Sequence, residues 1–149
     1  MNAVDLMTPL PRVVTPDEPV LHAAAIMRDL DVGAVPVVAD RSTMRPCGII
    51  TDRDIAVRHV AEAHHHDCPV RDHMTAGPLE TVRPGDSARE VARRMGVDKV
   101  RRILVTDGDG RLQGIIALAD LARCGDEEVP ALAGPVLATV SIPDTLQRL

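Results

Sequence analysis

Gly48-Ile-Ile-Thr-Asp-Arg-Asp54 decides how this chain reads. Ile49 and Ile50 are β-branched and suit a short buried strand. Thr51 with Asp54 has the spacing of a capping box, so the strand runs straight into a helix. Such a helix start sets a hydroxyl beside a carboxylate. Its unpaired amides favour an anion such as phosphate, and the acid accepts hydrogen bonds from sugar hydroxyls, a combination that suits a nucleotide. The same spacing also serves as a plain helix cap, and both readings stand. Further along, the chain repeats the shape as Gly114-Ile-Ile-Ala-Leu-Ala-Asp120, keeping the glycine, the isoleucine pair and the aspartate. Ala117 stands where Thr51 stood.

The flanking residues repeat in the same order. Upstream of the first motif, Leu6-Met-Thr8 reads as a helical turn, Arg12 to Thr15 as a brief strand, and Asp17 or Glu18 as the cap of a helix whose buried stripe is Val20, Ala23, Ala24, Met27 and Leu30. Val32-Gly-Ala-Val-Pro-Val-Val38 is an apolar strand, and Pro36, lacking a donor, belongs at an edge or bulge. Cys47 to Ile50 then leads into a helix from Thr51 to about Val60. In the second copy His73-Met-Thr75 opens the unit, Leu79 to Val82 is a strand, and Asp86 caps a helix with the stripe Ala88, Val91, Ala92 and Met95. Arg101-Arg-Ile-Leu-Val105 and Leu112 to Ile116 are strands joined by the hairpin signal Asp107-Gly-Asp-Gly110, and a helix from about Ala117 to Ala122 ends near Gly125.

The copies therefore span residues 4–60 and 70–124, with a His-rich linker at 61–69. Residues 125–149, with Pro130, Pro135 and Pro143 among several acids, read as an acidic tail of low order or a strap on a partner subunit. One copy alone would leave a sheet face uncovered, so two copies packed sheet against sheet are the expected module.

Composition narrows the function. With 149 residues and 45% hydrophobic content the chain buries a real core, and its net charge of −5 argues against a nucleic-acid partner. Cys47, Cys68 and Cys124 are too scattered for a disulfide framework, which fits a reducing cytoplasm, and neither a secretion signal nor a membrane span is expected. Phe, Trp and Tyr are absent, so any planar ligand must lie between aliphatic side chains.

The ordered set of motifs, occurring twice, resembles a pair of CBS domains, a Bateman module, over about Val4 to Arg123, and is especially similar to small stand-alone bacterial proteins of that kind. The resemblance implies an α/β (α+β) fold of two β-α-β-β-α repeats related by a pseudo-twofold. It implies clefts between the repeats for adenosine compounds such as AMP, ATP or S-adenosylmethionine, regulation in place of catalysis, a homodimer, and a separate regulated protein as partner. Carried over by position, Thr51 binds phosphate, Asp54 the ribose, and Arg53 adds charge at the mouth. Val14, Thr15, Val35 and Pro36 wall the adenine. In the second copy Asp120 keeps the ribose role and Arg102 reaches phosphate, while Ala117 weakens that site.

Other constellations have plainer readings. Arg93, Arg94, Lys99, Arg101 and Arg102 read as an anion-binding rim or as solvated helix and strand ends. His64, His65 and His66, with Asp67 and Cys68 beside them and His59 and His73 nearby, are good metal-ligand types. Three consecutive residues do not converge in regular structure, so a polar linker with adventitious metal binding is expected and no cofactor. Asp52 and Asp54 diverge around Arg53, and Ser42, Ser87 and Ser141 lack a nucleophile-elbow setting, so no enzyme is expected. The alternative to a sensor is an interaction module of the same fold with empty clefts, acting through homodimerisation or a separate partner.

Overall fold

The computed structural model describes residues 1–124 and 129–141. In chain order the elements are α1 (Ala3–Leu6), β1 (Thr8–Pro9), α2 (Val20–Leu30), β2 (Ala34–Val38), β3 (Pro46–Thr51) and α3 (Asp52–Asp54). A π-helix (Ile55–Val60) and a 3-10 turn (Val70–Asp72) follow. Then come β4 (Thr75–Ala76), β5 (Thr81–Val82), α4 (Ala88–Val97), β6 (Arg102–Thr106), β7 (Leu112–Ala117), α5 (Leu118–Arg123) and α6 (Val129–Val140). No described helix is long and apolar enough to cross a membrane.

Two compact units form, and each borrows its first strand from the other sequence copy. One comprises residues 11–79 with 110–112; the other comprises 1–10, 80–109 and 113–149. In the first unit β4 pairs antiparallel with β3, Thr75 facing Ile49 and Ala76 facing Gly48. In the second, β1 pairs with β7 in the same way, Thr8 facing Ile115 and Pro9 facing Gly114. The repeated glycine explains the repeated methionine. A Cβ on Gly48 would lie 2.7 Å from Met74 Sδ and 2.9 Å from the Thr75 carbonyl, and one on Gly114 would run into Met7. Only glycine lets each methionine cross the strand.

Within the first unit, β2 pairs with β3 over Ala34 to Val38, with a register shift between Val37 and Val38. Pro36 lies in this outer strand as its missing donor requires: its carbonyl accepts from Val14 N–H at 3.2 Å on the side away from β3, so no β2–β3 bond is lost. The strand expected at Arg12 to Thr15 reduces to a single parallel bridge, Val14 to Val37. The second unit completes the same plan with a true strand, β5 running parallel to β6 in the order β1-β7-β6-β5.

The helical stripes pack on these sheets. Ala88, Val91, Ala92 and Met95 of α4 are all buried, and α2 buries Val20, Ala23, Ile26 and Met27, while Leu30 is 48% exposed. The expected caps shift. Ser87, not Asp86, caps α4 by accepting from Glu90 N–H at 3.2 Å, and Asp86 turns back to accept from Arg83 N–H at 2.8 Å. Glu18 does the same for Thr15 N–H, leaving α2 without a side-chain cap.

Two further expectations are corrected. The helix from Thr51 to Val60 is α-helical for only three residues before widening into the π-helix, where Ala61 N–H donates to the Ala56 carbonyl five residues back. The wider turn leaves Val57 and Val60 exposed and buries His59. The region read as a low-order tail contains α6, whose Val129, Ala133 and Val136 recur at helical spacing and pack with α4 and α5 in one core. Pro130 falls in its first turn, where no donor is needed, and Pro135 is accommodated inside it. The rest of the expected tail, 125–128 and 142–149, lies outside the described residues, while α5 ends at Arg123, close to the end expected near Gly125.

Candidate functional site

The end of β3 carries the predicted capping box. Thr51 has extended backbone, its Oγ1 accepts from Asp54 N–H at 3.1 Å, and its own N–H donates to Asp54 Oδ2 at 3.0 Å. This reciprocal pair fixes both side chains but does not exhaust them. The Thr51 hydroxyl retains its proton to donate, and Asp54 retains Oδ1, which faces Arg58 Nε at 3.8 Å. Arg58 also reaches the carbonyls of His73 and Met74. It is a residue that the sequence reading missed, and its signal was the i, i+4 spacing from Asp54. Arg53 is exposed.

Aliphatic groups sit on the adjoining strand. The register sets Ala34 opposite Thr51, Val35 opposite Ile50 and Pro36 opposite Ile49, and Val14 bridges to Val37 on the far side of β2. Val14, Val35 and Pro36 are buried, and Thr15 is half-buried with its N–H bonded to Glu18. This unit thus places the hydroxyl, the acid and the apolar residues on three neighbouring segments.

The second unit reproduces the backbone without the hydroxyl. Leu118 N–H donates to the Arg101 carbonyl at 2.9 Å, as Asp52 N–H donates to that of Gly33 at 3.0 Å, so Arg102 begins its strand where Ala34 begins β2. Ala117 N–H donates to Asp120 Oδ2 at 2.7 Å, but Ala117 offers nothing in return. Arg102 and Asp120 are half-buried. The basic rim is partly consumed: Arg93 and Arg94 both clasp Glu90, holding its carboxyl down at about 2.

The histidines separate into two groups. His65 and His66 are exposed and stacked on one another, and His65 pairs with Asp67. The expected metal-prone run is therefore not where the donors converge. His59, Cys68 and His73 bring their ligand atoms within 4.8 Å of one another. His59 Nδ1 lies 3.2 Å from His73 Nε2, both residues are buried, and the exposed His64 holds its ring 5.1 Å from that of His73. The linker is pinned to make this possible: Val20 N–H donates to the Cys68 carbonyl at 2.8 Å and Val70 N–H to that of Glu18 at 2.8 Å. No sequence spacing announces this group, because a π-helix, a turn and a pinned loop supply one ligand each.

The CBS-domain pattern matches residues 3–59 and again residues 70–127. The chain belongs to the CBS-domain family. It carries the domain as a tandem pair, and its relatives include small proteins of similar length. The uncharacterized protein YlbB of Bacillus subtilis is 36% identical over 144 residues, covering 97% of this chain and 94% of that protein. Hypoxic Response Protein I, solved with two coordinated zinc ions, matches with a TM-score of 0.72 at 31% identity, covering 83% of this chain and 98% of that one. CBSX2, solved in complex with AMP, matches with a TM-score of 0.66 at 28% identity, over 82% and 93% of the two chains.

Proposed function

We propose that this CBS pair is a regulatory module that senses an adenosine-type nucleotide of the AMP, ATP or S-adenosylmethionine class and performs no catalysis. The observation that carries the reading is the reciprocal Thr51–Asp54 box, which holds a hydroxyl donor and a carboxylate oxygen, Asp54 Oδ1 beside Arg58, in fixed positions next to the strand of Val35 and Pro36. Asp54 Oδ1 accepts a ribose hydroxyl, the Thr51 hydroxyl donates to phosphate, and Arg53 and Arg58 supply positive charge. Val14, Thr15, Val35 and Pro36 contact the base. Asp120 and Arg102 form a weaker second site. A lost hydrogen bond to a charged group costs about 1.5–3 kcal/mol, so the two sites differ roughly ten- to hundredfold in affinity. The AMP bound to CBSX2 supports the ligand class. The module acts in the cytoplasm on a separate protein and assembles as a homodimer through its helices, where Val97 and Leu137 are 65% and 51% exposed.

A second reading rests on the same box, since the cap alone accounts for Thr51 and Asp54: an interaction module with empty clefts, acting through homodimerisation or a partner protein. The absence of Trp and Tyr separates the two cheaply. The purified protein, denatured and filtered, should release a small molecule with the adenine absorbance band that chromatography resolves as a nucleotide. A blank filtrate, followed by no heat on adding AMP, ATP or S-adenosylmethionine, would favour the interaction module.

A further inference from the structure

We propose that His59, Cys68 and His73 bind a zinc-type transition-metal ion, with His64, whose ring stands 5.1 Å from that of His73, or solvent as the fourth donor. The site lies in residues that the nucleotide reading does not use. Two imidazole nitrogens and one sulfur make a donor set that selects zinc and its neighbours over magnesium or calcium. The distances fit after modest side-chain movement. Tetrahedral zinc with ligand bonds of about 2.0–2.3 Å sets neighbouring ligand atoms roughly 3.3–3.8 Å apart. The facing nitrogens of His59 and His73 stand at 3.2 Å, and the full group falls within 4.8 Å.

The two facing histidines are both buried. His59 and His73 are 7% and 2% exposed, with two ring nitrogens aimed at each other and one proton at most between them. The proton balance is simple. Each imidazole keeps one proton, moved by tautomerisation to the nitrogen facing away from the metal, while the Cys68 thiol gives one proton to solvent and binds as thiolate. The net charge of the metal and its protein ligands is then +1. The backbone is already tied in place, with His64 N–H on the His59 carbonyl at 3.1 Å and Cys68 N–H on that of His65 at 3.1 Å.

The test uses the full chain, stripped with a chelator and titrated with Zn²⁺ by calorimetry and with Co²⁺ by absorbance, where the lack of Phe, Trp and Tyr leaves the near-ultraviolet clear. One equivalent per chain is expected, with the thiolate-to-cobalt charge-transfer band and the intense visible bands of tetrahedral coordination. Cys68→Ser should erase the charge-transfer band and weaken Zn²⁺ binding by more than about 100-fold, beyond what loss of a supporting group costs, with unchanged circular dichroism. His73→Ala should do the same, and the half-buried Cys68 keeps the test valid if that buried variant fails to fold. A His65→Ala/His66→Ala double variant should bind normally. No binding at micromolar metal, a cobalt spectrum without the thiolate band, or binding lost in the double variant but kept in Cys68→Ser would each overturn the proposal.

Discussion

The ends of β3 and β7 are the same backbone written twice with one hydroxyl removed. Both strands run into a helix, both place an aspartate three residues on, and both aspartates accept from the N–H of the last strand residue, at 3.0 Å from Thr51 and 2.7 Å from Ala117. Only Thr51 answers with a bond back to the helix, to Asp54 N–H at 3.1 Å. The aspartate therefore suffices to form the turn, and the threonine adds a helix cap. A duplicated fold keeps its geometry while its two ends diverge in chemistry.

That contrast can be broken in stages. Asp54→Ala should have the largest effect, reducing adenine-nucleotide affinity about 100-fold through loss of a charged hydrogen-bond acceptor. Asp120→Ala should leave the tight binding event in place, and calorimetry on both variants checks it. Next, Gly48→Ala and Gly114→Ala should each destabilise the protein by about 1–3 kcal/mol, since the added methyl collides with Met74 or Met7. Equal losses in urea melts would show that the strand exchange matters alike in both units. Ala117→Thr restores the missing hydroxyl on a backbone that is already extended. It should stabilise the fold by about 1 kcal/mol and raise the weaker affinity roughly tenfold, while Thr51→Ala costs about the same 1 kcal/mol. A smaller effect separates α4 from α2. Glu90, held at about 2 against an ordinary 4.5 by Arg93 and Arg94, ionises more readily folded than unfolded. Its contribution is present above about pH 4.5 and is lost as the pH falls toward 2; Glu90→Gln should flatten the stability profile slightly in that range, by little because the group is exposed.

Much of the fold was legible because local rules agree along this sequence. The α4 stripe, the β3-to-α3 junction and the position of Pro36 each follow from periodicity, capping or a missing donor. The exchange of leading strands was not, since Met7 and Met74 declare themselves only through the glycines they cross. Prolines concealed α6: Pro130 and Pro135 signal a break, yet one sits in the first turn and the other is outweighed by burial of Val129, Ala133 and Val136. The Thr51–Asp54 contact was readable from spacing alone. The His59–Cys68–His73 group was not, because a local widening of the helix turned His59 inward and long-range backbone bonds placed Cys68.

The most direct measurement is a calorimetric titration of AMP, ATP and S-adenosylmethionine into the full chain and into Thr51→Ala, with circular dichroism showing that both are folded. Saturable heat from at least one of these ligands is expected, with a roughly ten- to hundredfold loss of its tight phase in the variant. No heat from any of the three, or the same tight binding in Thr51→Ala, would contradict the nucleotide reading.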